Sequence, residues 1–225
     1  MTAQSNEARQ AILDSIRARL AESKSLTGER VNEPHRASAV RVTGSDDKAS
    51  RAAWFQQMLE SVGGKTVRVS SDEQAAEIID QIIDKSAARR VAMSDAAIVA
   101  RISAMIKSDV DRVESTVKSS ELLNCDIGIT SAQWAIAETG TLVMESHRER
   151  HRLISLVPPI HIAVIESSQI CASLDEALLL VRGEGEAGLS RAVTFITGPS
   201  RTGDIEMVLT IGVHGPQQLH VIIID

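Results

Sequence analysis

From about residue 46 onward, short β-branched runs alternate with helix-length amphipathic segments, and this rhythm restricts the fold more than any single motif. Asp46 or Asp47 precedes a helical segment reaching about Ser61, Gly63-Gly64 ends it, and a strand-like run at residues 65–69 follows. Ser71 or Asp72 then opens a helix with Ile78, Ile79, Ile82 and Ile83, residues 90–93 read as a strand, and Asp95 opens a helix with Ile98, Ile102 and Met105. Strand-like runs recur at residues 127–129, 141–144, 160–165, 192–196 and 219–224, with a Ser173-capped helix at residues 174–181. Several runs are β-branched on both faces, as strands covered on both sides should be. The pattern predicts an α/β fold with an open, mainly parallel sheet and helices on both faces. Ligands of such sheets are expected beyond the carboxyl ends of the strands.

Ahead of that region, Ala8, Ile12, Ile16 and Leu20 recur at four-residue spacing and predict an amphipathic helix within residues 1–23. Residues 24–45 are polar, lack apolar periodicity and contain Pro34, which reads as a linker. The α/β domain then occupies residues 46–225. A helix with one apolar face and no adjoining element is expected to cover a partner or a second copy of the chain, so a homo-oligomer is one expectation.

Several function classes are disfavoured. The 225 residues carry a formal net charge of −6 with scattered basic groups, which argues against nucleic-acid binding. The start of the chain lacks the order of a secretory signal, and no apolar run approaches the roughly 20 residues of a membrane span. The expectation is a cytoplasmic protein without a membrane span. Cys125 and Cys171 are its two cysteines, too few for an iron–sulfur cluster. His147 and His151 are four residues apart, but Arg148, Arg150 and Arg152 surround them and would repel a dication, so no metal site is expected.

Polar loops at strand ends supply the candidate site. Thr197-Gly198-Pro199-Ser200-Arg201-Thr202-Gly203-Asp204-Ile205-Glu206 joins a guanidinium and hydroxyls to a Gly-Pro turn, a combination suited to a carboxylate or phosphate. Gly212-Val213-His214-Gly215-Pro216 places His214 between glycines that permit close approach, so it is the candidate general acid or base. In Glu138-Thr139-Gly140-Thr141 a carboxylate stands beside a glycine turn, placed to act as base or nucleophile. Glu138, Asp204 and His214 are therefore the candidate catalytic residues. Thr139, Gly140, Thr141, Arg152, Gly198, Pro199, Ser200, Arg201, Thr202 and Gly215 are the candidate ligand contacts. Arg152 is included because, just before a strand-like stretch at residues 153–157, it could reach the same anion as Arg201. His161 and His220 fall inside strand-like runs and read as core or edge residues.

These loops, together with Leu156-Val157-Pro158-Pro159-Ile160-His161-Ile162 and the closing Leu219-His220-Val221, resemble the lactate utilization protein C family, also called the LUD domain family. The resemblance runs from about Asp46 to the C-terminus. One departure is Gly203, where the family more often has alanine. The resemblance implies a fold similar to the glucosamine-phosphate isomerase, ribose-phosphate isomerase and CoA-transferase superfamily. It also implies membership of a three-protein system that oxidises L-lactate to pyruvate, with iron–sulfur clusters in the partner subunits and no cofactor in this chain. The expected role is a non-redox subunit. The alternative is a stand-alone enzyme acting on a sugar phosphate or CoA thioester through Glu138, Asp204 and His214.

Overall fold

The computed structural model describes residues 3–26, 47–114, 118–146, 152–183, 190, 192–205, 208–212 and 214–225. The chain divides into two compact units, Met1–Thr43 and Gly44–Asp225. Helix α1 (Ala3–Leu26) belongs to the first. Within it Gln10 and Arg17 both donate to Asp14, and Ile12 and Ile16 of the predicted apolar stripe are 62% and 49% exposed. The proposed linker at residues 24–45 falls almost wholly outside the described residues.

The second unit opens with α2 (Lys48–Ser61) and β1 (Lys65–Val69), followed by α3 (Asp72–Ser86), β2 (Arg90–Met93), α4 (Ala97–Ser103) and β3 (Asp111–Val113). Next come β4 (Ile127–Ser131), β5 (Trp134–Ile136), β6 (Thr141–Glu145), β7 (Ile160–Glu166), β8 (Ile170–Cys171) and α5 (Leu174–Gly183). The strands β9 (Val193–Ile196), β10 (Arg201–Ile205), β11 (Val208–Ile211) and β12 (Gln218–Ile224) close the chain. Local chemistry accounts for many of these boundaries. Ser71 Oγ accepts from Gln74 N–H at 3.3 Å to cap α3, and Ser173 Oγ accepts from Glu176 N–H at 3.3 Å at the start of α5. Gly63, at φ 87°, turns the chain from α2 into β1. Asp95 does not cap α4; Ala96 occupies that position, and Met105 lies beyond the helix.

The principal sheet has the order β1-β12-β7-β4-β2-β3, and every pair in it is parallel. One face is covered by α3 and α4, whose Ile79, Ile83, Ile98 and Ile102 pack on Ile127, Ile129, Ile162 and Val164. The opposite face meets α2 through Phe55 and Leu59, and also a second sheet through Leu142 and Met144. That second sheet has the order β8-β5-β6-β9 and is mixed, while β10 and β11 form a separate antiparallel pair. The predicted strand runs are thus divided between two layers, and a sheet shares the second face with a helix. The stretch at residues 153–157, expected as a strand, contains a 3-10 helix, Arg152–Ser155. That helix lies flat on β4, where a Cβ on Gly128 would stand 2.0 Å from the Ile154 carbonyl oxygen.

Candidate functional site

Strand β9 ends at Ile196, and the chain turns through Thr197-Gly198-Pro199-Ser200 against the carboxyl end of α2. Gly198 has φ 78°, and a Cβ there would approach the Val62 carbonyl oxygen to 2.8 Å, so no other residue fits without displacing the helix end. Arg201 donates a hydrogen bond from Nη2 to that same carbonyl. The guanidinium therefore ties the loop to α2 at a helix end that favours a cation.

The two glycine loops of the sequence form one structure. Ser200 N–H donates to the Pro216 carbonyl at 2.8 Å, Gly212 N–H donates to the Ser200 carbonyl at 2.9 Å, and a Cβ on Gly215 would lie 3.0 Å from Ser200 Cβ. Between them opens a cleft of about 260 Å³, walled by residues 194–200 and 214–216 and floored by Leu156, His161 and Leu219. His161 and Leu219 sit near the starts of β7 and β12, so the cleft lies at the amino ends of these parallel strands. The candidate loops therefore gather at the opposite end of these strands from the one expected. The second sheet brings the Gly198 loop over the opposite end of the principal one.

His161 is the residue that sequence reasoning set aside. Its side chain is 1% exposed, its Nε2 lies 2.8 Å from Thr130 Oγ1, and among the described residues its Nδ1 has no partner. Burial pushes its pKa down to about 3, so the ring is neutral at ordinary pH. A histidine at the amino end of an otherwise apolar strand, directly after Pro158-Pro159-Ile160, was the available signal.

The other candidates divide into those that meet at the cleft and those that do not. Gly198, Pro199, Ser200, Gly215 and His214 line it, with His214 exposed. Glu138 faces elsewhere: its Oε1 accepts from Leu174 N–H at 2.7 Å and caps the start of α5. A Cβ on Gly140, at φ 62°, would stand 2.3 Å from Leu59 N, so this turn packs directly on the backbone of α2. Thr139 and Thr141 hydroxyls are 2.7 Å apart, and Thr141 is 2.7 Å from Thr197, so a chain of hydroxyls links this turn to the Gly198 loop. Arg152 is exposed and does not line the cleft. Thr202 pairs with Thr210 in the β10–β11 ladder. Asp204 belongs to β10, its side chain outside the described residues, as are Glu206, His147 and His151 altogether.

Cys125 and Cys171 are both buried, with their thiols pushed up by desolvation, Cys171 to about 11. Among the described residues, no group of three or more His, Cys, Asp or Glu side chains is arranged to hold a metal ion, and no helix is long and apolar enough to cross a membrane.

Comparison with known proteins gives this arrangement its family. The description of the LUD domain matches residues 52–224. The chain belongs to the LUD domain family. Over 102 residues this LUD domain is 40% identical to "Lactate utilization protein C 1" of Bacillus mycoides (strain KBAB4), covering 44% of each protein. Over 119 residues it is 36% identical to "Lactate utilization protein C" of Bacillus subtilis (strain 168), covering 52% of this chain and 49% of that protein. The chain spans about half the length of the curated relatives it matches. A crystal structure of a DUF162 family protein from Deinococcus radiodurans shares the fold, with a TM-score of 0.61 and 24% identity over 80% of this chain and 99% of that one.

Proposed function

We propose that this LUD domain is a non-redox, ligand-binding component of a lactate utilization system, which seats the hydroxy or keto acid in the cleft between the Gly198 and Gly215 loops. The observation that carries this reading is a small cleft of mixed polar and apolar lining, with a buried histidine among its lining residues, in a domain whose relatives are named lactate utilization protein C. Converting a hydroxy acid to a keto acid removes two electrons and two protons. Two buried cysteines with raised thiol pKa values are too few and too unreactive to ligate a cluster. We therefore assign the electron-carrying iron–sulfur centres to partner proteins. Within this chain the proposed contacts are Gly198, Pro199, Ser200, Gly215 and His214. Glu138 and Arg201 act one step removed, by fixing α5 and the Gly198 loop in place.

The test is reconstitution. The purified chain with L-lactate should not reduce an artificial acceptor, while the assembly captured with it from its native host should, and omission of this chain should abolish or impair that activity. Lactate turnover by the isolated chain would end the accessory reading. Turnover of a sugar phosphate or CoA thioester by the isolated chain would establish the stand-alone enzyme instead.

A further inference from the structure

A second cavity lies on the other face of the principal sheet. Side chains alternate along a strand, so Gln218 and His220 of β12 stand on the face opposite to that of Leu219. Between that face and the second half of α3 runs a groove of about 330 Å³. The helix meets the centre of the sheet through Ile79 and Ile83, which are buried, and turns Ile78 and Ile82 to the groove, where both stay half-buried. Opposite them Val67, on the edge strand β1, is 38% exposed. Apolar surface is therefore left open along the groove walls.

Its charge has one sign. Lys65 enters from β1 and Lys85 from the last turn of α3, both exposed, and among the described residues no Asp or Glu side chain lines the groove. Asp80, on the same helix, is instead engaged by the backbone N–H groups of Lys107 and Ser108. Lys65 Nζ donates to Gln218 Oε1 at 3.0 Å, and His220 Nε2 lies 3.3 Å from that oxygen. Burial and Lys65, its partner in the β1–β12 register, push the His220 pKa down to about 4, so the ring is neutral at ordinary pH and the two lysines supply the positive charge. Two ammonium groups exclude a cation as the ligand. A wholly apolar ligand would leave them without a counter-charge, and a bare inorganic anion would leave Val67, Ile78 and Ile82 in water. We infer that this groove binds a small amphipathic anion, a carboxylate or phosphate monoester carried on a short aliphatic body, with Lys65 and Lys85 taking the head and Val67, Ile78 and Ile82 the body. The site is separate from the Gly198–Gly215 cleft and does not rest on the lactate reading.

The experiment is calorimetric titration of the full chain with hexanoate, hexyl phosphate, hexan-1-ol, hexylamine, acetate and inorganic phosphate, with the His220 ring followed by NMR. Hexanoate or hexyl phosphate should bind saturably with a Kd below about 1 mM and move the His220 resonances, and the other four probes should bind about tenfold more weakly or not at all. The preference between the two binding probes names the head group. Lys85→Met, which removes the charge and keeps an apolar stem, should weaken binding about threefold to tenfold, and Lys65→Met should do the same. Val67→Asp, at an exposed position of the edge strand, should abolish it by setting a like charge beside the head. Equal affinity for hexan-1-ol overturns the inference, as does equal affinity for acetate or inorganic phosphate. Binding that leaves His220 unmoved, or that neither lysine substitution weakens, places the anion elsewhere and overturns it too. Absence of saturable binding by both hexanoate and hexyl phosphate ends it outright.

Discussion

The Glu138–Thr141 turn and the paired Gly198 and Gly215 loops look alike in sequence, each a glycine among hydroxyls and charge, yet the fold gives them opposite tasks. At the first, Gly140 lets the backbone meet α2 so closely that no space remains, and Glu138 caps α5. At the second, the loops bond to each other through Ser200, Gly212 and Pro216 and leave a cleft over His161. A polar glycine loop can wall a cleft when its own hydrogen bonds are met and space is left beside it. It becomes a joint when the glycine is there to abolish that space.

The widest separation between the two regions should appear on adding a methyl group to each. Gly140→Ala forces a Cβ to within 2.3 Å of Leu59 N at a positive φ, and we expect a loss of roughly 2–5 kcal/mol in urea unfolding. Gly215→Ala meets the Ser200 side chain at 3.0 Å and the Leu156 carbonyl oxygen at 3.6 Å, the latter an ordinary contact. It should cost less than about 1 kcal/mol and act instead on ligand affinity, by narrowing the cleft. Equal destabilisation by both would erase the distinction.

Removing the charged groups sharpens the comparison. Glu138→Ala should cost about 1 kcal/mol of stability, as for other lost helix caps, with pyruvate affinity unchanged. Arg201→Ala should cost about 0.5–1.5 kcal/mol through loss of its bond to Val62, again without a matching loss of affinity. Calorimetric titration of either variant decides the matter: a large drop in affinity would make that residue a ligand contact.

Acid titration examines the cleft floor. Burial holds the folded-state pKa of His161 at about 3 against an ordinary value of 6.5, so the unfolded chain binds the proton first as pH falls. The stability linked to this group is therefore intact above about pH 6.5 and is lost progressively toward pH 3. Parent urea midpoints should fall more steeply across that interval than those of His161→Phe; parallel curves would show that His161 is not the buried neutral group. The smallest effect is expected at the cysteines. Cys125 and Cys171 are buried with raised thiol pKa values, so a thiol reagent should leave both unmodified until the protein unfolds.

Much of the architecture was legible because its signals are local. The boundaries of β1 and β2, the Ser71 and Ser173 caps and the Gly63 stop depend on propensity and on hydrogen bonds within a few residues. The short strands β3, β5 and β8 were not legible, since two or three residues carry no period and pair only because a neighbour is present. The site was legible in part. Gly198, Ser200 and Gly215 announced a loop cluster, but nothing in their order says which strand end they cover.

The sequence by itself determined the alternation of helices and strands, the glycines at positive φ and the polarity of the loops, because these follow from backbone sterics and side-chain chemistry within each segment. Only the tertiary structure decided that the strands form two layers, that Glu138 and Arg201 hold helix ends, and that a histidine in an apolar strand lies beneath the cleft. Those outcomes depend on contacts between residues far apart in the chain, such as Thr130 with His161, Arg201 with Val62 and Gly140 with Leu59. No local preference encodes such contacts, because each side chain meets its partner only after the layers have packed.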